Sequence, residues 1–273
     1  MNSSRNINLF WWSSVKFEGK SQENFGDILS RYLVEKISGK QVVWKNPMKR
    51  RWNPFRKKIY TTTGSILKHV SKDCIVWGSG IISRNDEVQE AEFLAVRGPE
   101  TYKFLKEKGY DVNEVFGDPA ILLPGFYKPK GKKEISLGII PHYVDYNVVN
   151  EWYSDNKNIE VIDLLNDDVE SVIEQISKCK EVISSSLHGL IVSHTYGIPA
   201  VWIQFSQKLS GDNIKFADYF KSVKLKPYNP EFIDKVKNEE ELHELITKYP
   251  SLPKEIDIDD LRIGLMKVCP FKQ

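Results

Sequence analysis

Residues 182–199 read VISSSLHGLIVSHTYGIP, and this stretch decides the fold class. Val182 and Ile183 belong to a β-branched apolar run that stops at Ser184, Ser185 and Ser186. Leu187, His188 and Gly189 then open an apolar helical pattern that closes at Gly197. Open α/β sheets present chemistry in this way, with a titratable side chain at the turn between a strand's carboxyl end and a helix. The serine hydroxyls and the first helical N–H groups suit an anion, because a helix N-terminus carries unpaired donors and a positive dipole end. His188 adds a group that exchanges protons near neutral pH. Alone, such a histidine reads as a cap or packing residue; its surroundings reverse that preference.

The same alternation extends outward in both directions. Residues 8–13 read as a strand. A helix follows over 28–37, with Asp27 as its cap and Gly39 as its terminator. A buried-type strand at 74–77 runs into Gly78, Ser79 and Gly80. A strand at 93–96 leads through Arg97, Gly98 and Pro99 into a helix over 100–108, ended by Gly109. A strand at 112–115 stops at Gly117, Asp118 and Pro119. The Pro/Gly/Lys-rich segment 124–133, PGFYKPKGKK, marks a linker. Beyond it come strands at 135–140 and 160–162, a helix over 168–179, a strand at 181–184, a helix over 188–196 and a strand at 200–204. The largely helical tail is expected to brace the assembly. The pattern predicts an α/β protein of two Rossmann-like parallel-sheet domains, residues 1–125 and 134–273, facing one another.

Composition sets bounds. The 273 residues are 41% hydrophobic and 28% charged, with a net charge of +2, an ordinary globular balance that does not call for nucleic acid. No window approaches the roughly 18 apolar residues of a membrane span. The apolar run near the start is too short for a signal-peptide core. Cys74, Cys179 and Cys269 are odd in number, widely spaced and without CxxC pairing. That argues for reduced thiols in the cytoplasm and against a disulfide framework or structural zinc site. Dinucleotide-loop, P-loop, HExxH and GxSxG signatures are missing, and no metal-ligand cluster is visible.

Few residues remain to carry chemistry. Arg97, at a strand end, can grip a carboxylate or phosphate bidentately, or pair on the surface with Glu92 or Glu100. His142 lies just past strand 135–140, near the same crevice, or is a hydrogen-bonded loop histidine. Lys208 follows strand 200–204, and neighbouring parallel strands place it beside His188 unless it is merely solvated. The Gly78-Ser79-Gly80 turn offers N–H groups to a phosphate or is a plain tight turn. His194, six residues beyond His188 on one helix, faces away and reads as structural. Residues 40–58 hold eight Lys/Arg and no acidic residue, interleaved with Trp44, Trp52 and Phe55. Such a stripe could bind nucleic acid, suits an anionic membrane surface at least as well, or is a solvated loop.

Read together, Asn24, Gly26 and Asp27; Trp77-Gly78-Ser79-Gly80; Ala95-Val96-Arg97-Gly98-Pro99; Gly117-Asp118-Pro119-Ala120; and Ser185-Ser186-Leu187-His188-Gly189 occur in an order that resembles the polysaccharide pyruvyl transferase family. The resemblance covers about residues 24–220. It implies a fold like that of the GT-B glycosyltransferases, with a cleft between the domains. It also implies transfer of pyruvate from phosphoenolpyruvate, as co-substrate and without a further cofactor, onto a sugar of a bacterial surface polysaccharide or its precursor, usually as a ketal. By that resemblance Arg97, Ser186, His188, Gly189 and Lys208 bind phosphoenolpyruvate, with His188 as the acid. Asn24, Asp27, Gly78, Ser79, Asp118 and His142 are the candidate acceptor or cleft residues. Trp11-Trp12-Ser13-Ser14 stands where many members carry a glycine-rich strand end, and tryptophan fills the room that glycine leaves. The competing readings are a nucleotide-sugar glycosyltransferase of the same architecture and a non-catalytic polysaccharide-assembly protein.

Overall fold

The computed structural model describes residues 6–49 and 57–272. Its described strands form two five-stranded sheets in which every pairing is parallel. The first contains β1 (Ile7–Phe10), β2 (Val42–Trp44), β3 (Ile59–Thr61), β4 (Cys74–Trp77) and β5 (Glu92–Ala95), in the order β2-β1-β3-β4-β5. The second contains β6 (Ile135–Ile140), β7 (Ile159–Val161), β8 (Cys179–Ser184), β9 (Ala200–Gln204) and β10 (Glu231–Phe232), in the order β10-β9-β8-β6-β7. Counted within its own half, each order is 2-1-3-4-5, a doubly wound arrangement. Each sheet therefore has one switch point, between β1 and β3 in the first and between β6 and β8 in the second. The chain is an α/β protein with two Rossmann-like domains.

Helices flank the sheets: α1 (Ser14–Glu18), α2 (Phe25–Ser38), α3 (Pro99–Glu107), α4 (Tyr146–Tyr153), α5 (Val169–Lys178), α6 (Leu187–Thr195), α7 (Ile214–Ser222), α8 (Glu239–Lys248) and α9 (Glu255–Lys267), with a 3-10 helix at Pro119–Gly125. Helix α2 begins three residues before the sequence pattern suggests. Asn24, not Asp27, is its cap, accepting from the Gly26 N–H at 2.9 Å. Asp27 sits in the first turn, where a carboxylate complements the helix dipole. Gly39, at φ 63°, ends the helix as expected.

Three departures have simple causes. The strand expected at 112–115 is replaced by isolated bridges, Phe93 to Val112 and, one residue beyond, Val96 to Phe116, because Asn113 and Glu114 interrupt the apolar run. The basic stripe opens with a genuine edge strand, β2, since Val42, Val43 and Trp44 are strong strand formers. Its residues 50–56, with Trp52 and Phe55, lie outside the described residues. Helix α4 was hidden behind the loop after β6, although Val149 and Tyr153 give it a buried stripe.

Helices α7 and α9 make contacts with the amino-terminal sheet and its helices. On α7, Asp218 accepts from the Glu100 and Thr101 N–H groups at 2.9 and 3.0 Å, capping α3, whose own cap position is Gly98. A methyl on Gly98 would lie 2.2 Å from the Asp218 carbonyl oxygen, so only glycine permits that approach. On α9, the Leu265 carbonyl accepts from Trp77 Nε1 at 3.0 Å, and Phe271 beyond it packs on Tyr60 and Trp77. One core runs through both halves, from Leu9 and Trp77 to Val182 and Trp202. Every residue of α6 is buried, and Leu187, Leu190, Ile191 and Val192 belong to that core.

Candidate functional site

The two switch points open onto one pocket. Trp12, past the end of β1, lines it together with Gly64 and Ser65, past β3. From the other sheet come His142 and Tyr143, past β6, and Ser186 and His188, past β8. Asn24 and Asp27 at the start of α2 line it, as do Lys208 beyond β9 and Lys215 on the first turn of α7. Ligands of doubly wound sheets bind at carboxyl-end switch points, so both topologies point to the same place.

His188 is held from behind. Its residue is 9% exposed, and Nε2 stands 3.5 Å from Asp118 Oδ2. Neither atom has a hydrogen-bond partner, although both are buried. Asp118 is fixed by accepting from the Ala120 N–H at 3.0 Å as cap of the 3-10 helix. Gly26 presses on the opposite side, since a methyl there would lie 2.1 Å from His188 Nδ1. A carboxylate near Nε2 favours the tautomer with its proton on that nitrogen, with Nδ1 on the side of Gly26. The cap position of α6, Ser186, forms no side-chain cap bond, so the first N–H groups of the helix keep their capacity for an anion.

Charge is divided across the pocket. Lys215 is pushed down to about 8, by burial first and by Arg97 second, with Asp27 opposing. Asp27 is raised to about 7, mainly by burial; Glu18 and Glu23 add to the rise, while His188 and Lys215 work against it. Burial lowers His142 to about 3, with Lys215 contributing, and His69 to about 4, with Lys68 contributing. Both are neutral rings at pH 7. Glu18 accepts from Trp12 Nε1 at 2.6 Å and from the Tyr143 hydroxyl at 2.7 Å, which closes the rim between the domains.

The structure brings Asn24, Asp27, His142, Ser186, His188 and Lys208 onto one surface, with Asp118 directly behind His188. Four others lie elsewhere. Arg97 is fully buried and does not reach the pocket: it donates to Asp218 Oδ2 at 3.0 Å, Ser65 Oγ at 2.6 Å and the Ile81 carbonyl at 2.8 Å. Neither Glu92 nor Glu100 is its partner. Gly189 packs α6 onto the sheet, where a methyl would lie 2.4 Å from Ser184 Oγ. Gly78, at φ 95°, lets Pro119 approach, and the Ser79 hydroxyl donates to the Thr62 carbonyl at 2.6 Å. His194 is structural, between the Tyr219 hydroxyl and the Ala200 carbonyl, both at 2.9 Å.

Lys215, Glu18, Tyr143 and His69 were not legible as site residues. Lys215 follows Asn213, a non-glycine residue at φ 64°, and nothing in the local pattern announces that turn. Trp12, noted as a departure from a glycine-rich strand end, proves to be a wall of the pocket, stacked on Phe17 and His69 at 4.5 and 5.1 Å.

Two parallel five-stranded sheets flanked by helices define a class, an α/β protein of two Rossmann-like domains, here with a histidine, a helix N-terminus and lysines around one pocket. Residues 24–206 match the model of the family described as polysaccharide pyruvyl transferase. The chain is also similar to an uncharacterized protein of Acanthamoeba polyphaga mimivirus, 35% identical over 206 residues, which cover 72% of this chain and 69% of that protein. The chain belongs to the polysaccharide pyruvyl transferase family, and with it to the transferases of polysaccharide synthesis.

Proposed function

We propose that the pocket binds phosphoenolpyruvate and transfers its pyruvyl group to hydroxyls of a glycan as a ketal, releasing phosphate. The observation that carries this reading is His188 at the open N-terminus of α6, backed by Asp118 and faced by Lys215. Phosphoenolpyruvate carries a carboxylate and a phosphate. The N–H groups of α6, Lys215 and the exposed Lys208 supply the cations and donors that such a ligand needs. Arg97 serves this site indirectly, by holding Ser65 in the pocket wall.

Ketal formation has two stages. Protonation of the methylene carbon by His188 Nδ1 turns the enol carbon into a cation-like centre, which a sugar hydroxyl attacks to form the first C–O bond. The phosphate then leaves with the electrons of its C–O bond, and a second hydroxyl adds to the same carbon. The first hydroxyl proton replaces the one given to the methylene, and the second departs with phosphate. Asp118 stabilises the imidazolium at the start of each cycle; a positioned acid contributes about a hundred- to ten-thousand-fold. The amino-terminal half, with Trp12 and Glu18, is the acceptor side.

Titration calorimetry with phosphoenolpyruvate tests the donor assignment. Binding should weaken about tenfold or more in Lys215→Met, the size expected for loss of one charge-assisted contact. Undiminished affinity in that variant places the anion elsewhere. A glycosyltransferase reading requires a nucleotide sugar to compete for the same pocket, and the same titration with nucleotide sugars separates the two.

A further inference from the structure

We propose that Asp27 is the base that takes the proton from each attacking acceptor hydroxyl, working face to face with His188. The inference rests on the reading of the pocket as a pyruvyl-transfer site and assigns the half of the chemistry that His188 does not perform.

The geometry begins with the backbone. Gly26, the residue before Asp27, lies against the His188 imidazole, and any side chain there would collide with Nδ1. The peptide that carries Asp27 is thus fixed to the ring that carries the acid. The carboxylate projects into the pocket, with Gly64 opposite, where an added methyl would still lie 3.8 Å from Asp27 Oδ1. Among the described residues no group hydrogen-bonds or ion-pairs with that carboxylate, while the neighbouring Glu18 and Glu23 are both engaged. A half-buried carboxylate without a partner is costly in a structural role. It is what a base requires, because its lone pairs are left for a hydroxyl.

The proton balance closes on these two residues. In the first stage Asp27 removes the hydroxyl proton as the new C–O bond forms, and His188 delivers one proton to the methylene carbon. Transfer of the proton from Asp27 to His188 restores both groups. In the second stage Asp27 accepts the second hydroxyl proton, which leaves with the departing phosphate. No oxidant, metal or further co-substrate enters.

The charged groups facing Asp27 are His188 on α6, Lys215 on α7, Glu18 on α1 and Glu23 before α2. Together with burial they place its titration at about 7, where a base is half ionised at neutral pH. Turnover should therefore rise with pH through about 7 and fall again near 8, as Lys215 loses the charge that holds the donor.

The test is Asp27→Asn beside Asp27→Glu, assayed with phosphoenolpyruvate and a panel of methyl hexopyranosides, following phosphate release and ketal mass. Asp27→Asn should lose at least a hundredfold in turnover while its affinity for phosphoenolpyruvate, by calorimetry, stays within about threefold. Asp27→Glu should keep part of the turnover with a displaced acid limb. Wild-type turnover in Asp27→Asn, with an unchanged acid limb, overturns the inference alone. A wild-type protein that forms no ketal from any hexoside overturns the reading of the pocket, and this inference with it.

Discussion

At the scale of single residues, His188 and Arg97 show how position overrides type. His188→Gln should retain most affinity for phosphoenolpyruvate and lose about a hundredfold or more in turnover, measured as initial phosphate release. Near-normal turnover would return His188 to a packing role. Arg97 carries a different prediction. Its guanidinium and Asp218 are both fully buried and 3.0 Å apart, so truncation leaves a carboxylate uncompensated in the core. Arg97→Met should therefore cost about 3–5 kcal/mol of stability, read from urea unfolding. A stable Arg97→Met protein that has lost only donor affinity would contradict the placement. Asp27 gives the opposite sign. Its folded value lies above the ordinary 3.8, so the ionised form burdens the fold. That burden is absent below about pH 4, grows as pH rises and is complete above about 7. Asp27→Asn should accordingly raise the melting temperature at pH 8 and leave it unchanged at pH 3.5, a trade of stability against function.

At the scale of elements, the strand–turn–helix unit of β8 and α6 does most of the positioning. Gly189 sits where α6 meets Ser184 and Ile140, with no room for a methyl. Gly189→Ala should lift the helix from the sheet, cost about 1–3 kcal/mol and displace His188, lowering turnover as well as stability. Equilibrium unfolding and phosphate release, measured on one preparation, check both parts. This unit was legible because β-branched residues, serines and an apolar helical run punctuate one another within eighteen residues. The short edge strand β2, by contrast, lay inside a run of lysines and arginines, whose charge masked a three-residue apolar pattern. The burial of Arg97 was hidden for a related reason. Its strand end is visible in the sequence, but the carboxylate that neutralises it returns on α7, 121 residues later. Local patterns report elements and their ends; they do not report which distant charge closes over them.

At the scale of the whole molecule, two sheets of one topology set their switch points against a single pocket. The alternation of strands and helices made the two domains readable, whereas the pocket's composition depends on their juxtaposition. Lys215 and Glu18 join it only through tertiary packing. Membrane contact is a separate expectation. No helix among the described residues is long and apolar enough to cross a bilayer, and surface attachment by the basic stripe at 40–58 does not need one. Juxtamembrane cations contribute about 1 kcal/mol each near anionic lipid. Reversing Arg50, Arg51 and Lys57 should release the protein from anionic vesicles at low salt and spare activity on a soluble hexoside. Lys58 is left in place because it lies 3.7 Å from Glu92. A wild-type protein that ignores such vesicles makes the stripe a solvated segment.

The central claim is transfer of a pyruvyl group from phosphoenolpyruvate, and one measurement meets it directly. The purified protein is incubated with phosphoenolpyruvate and a panel of hexosides, and phosphate and product mass are followed together. Phosphate should be released in equal measure with a hexoside heavier by one pyruvyl ketal, and both should be lost in His188→Gln. Phosphate without a heavier glycoside, or a glycoside modified only when a nucleotide sugar is supplied, would contradict it.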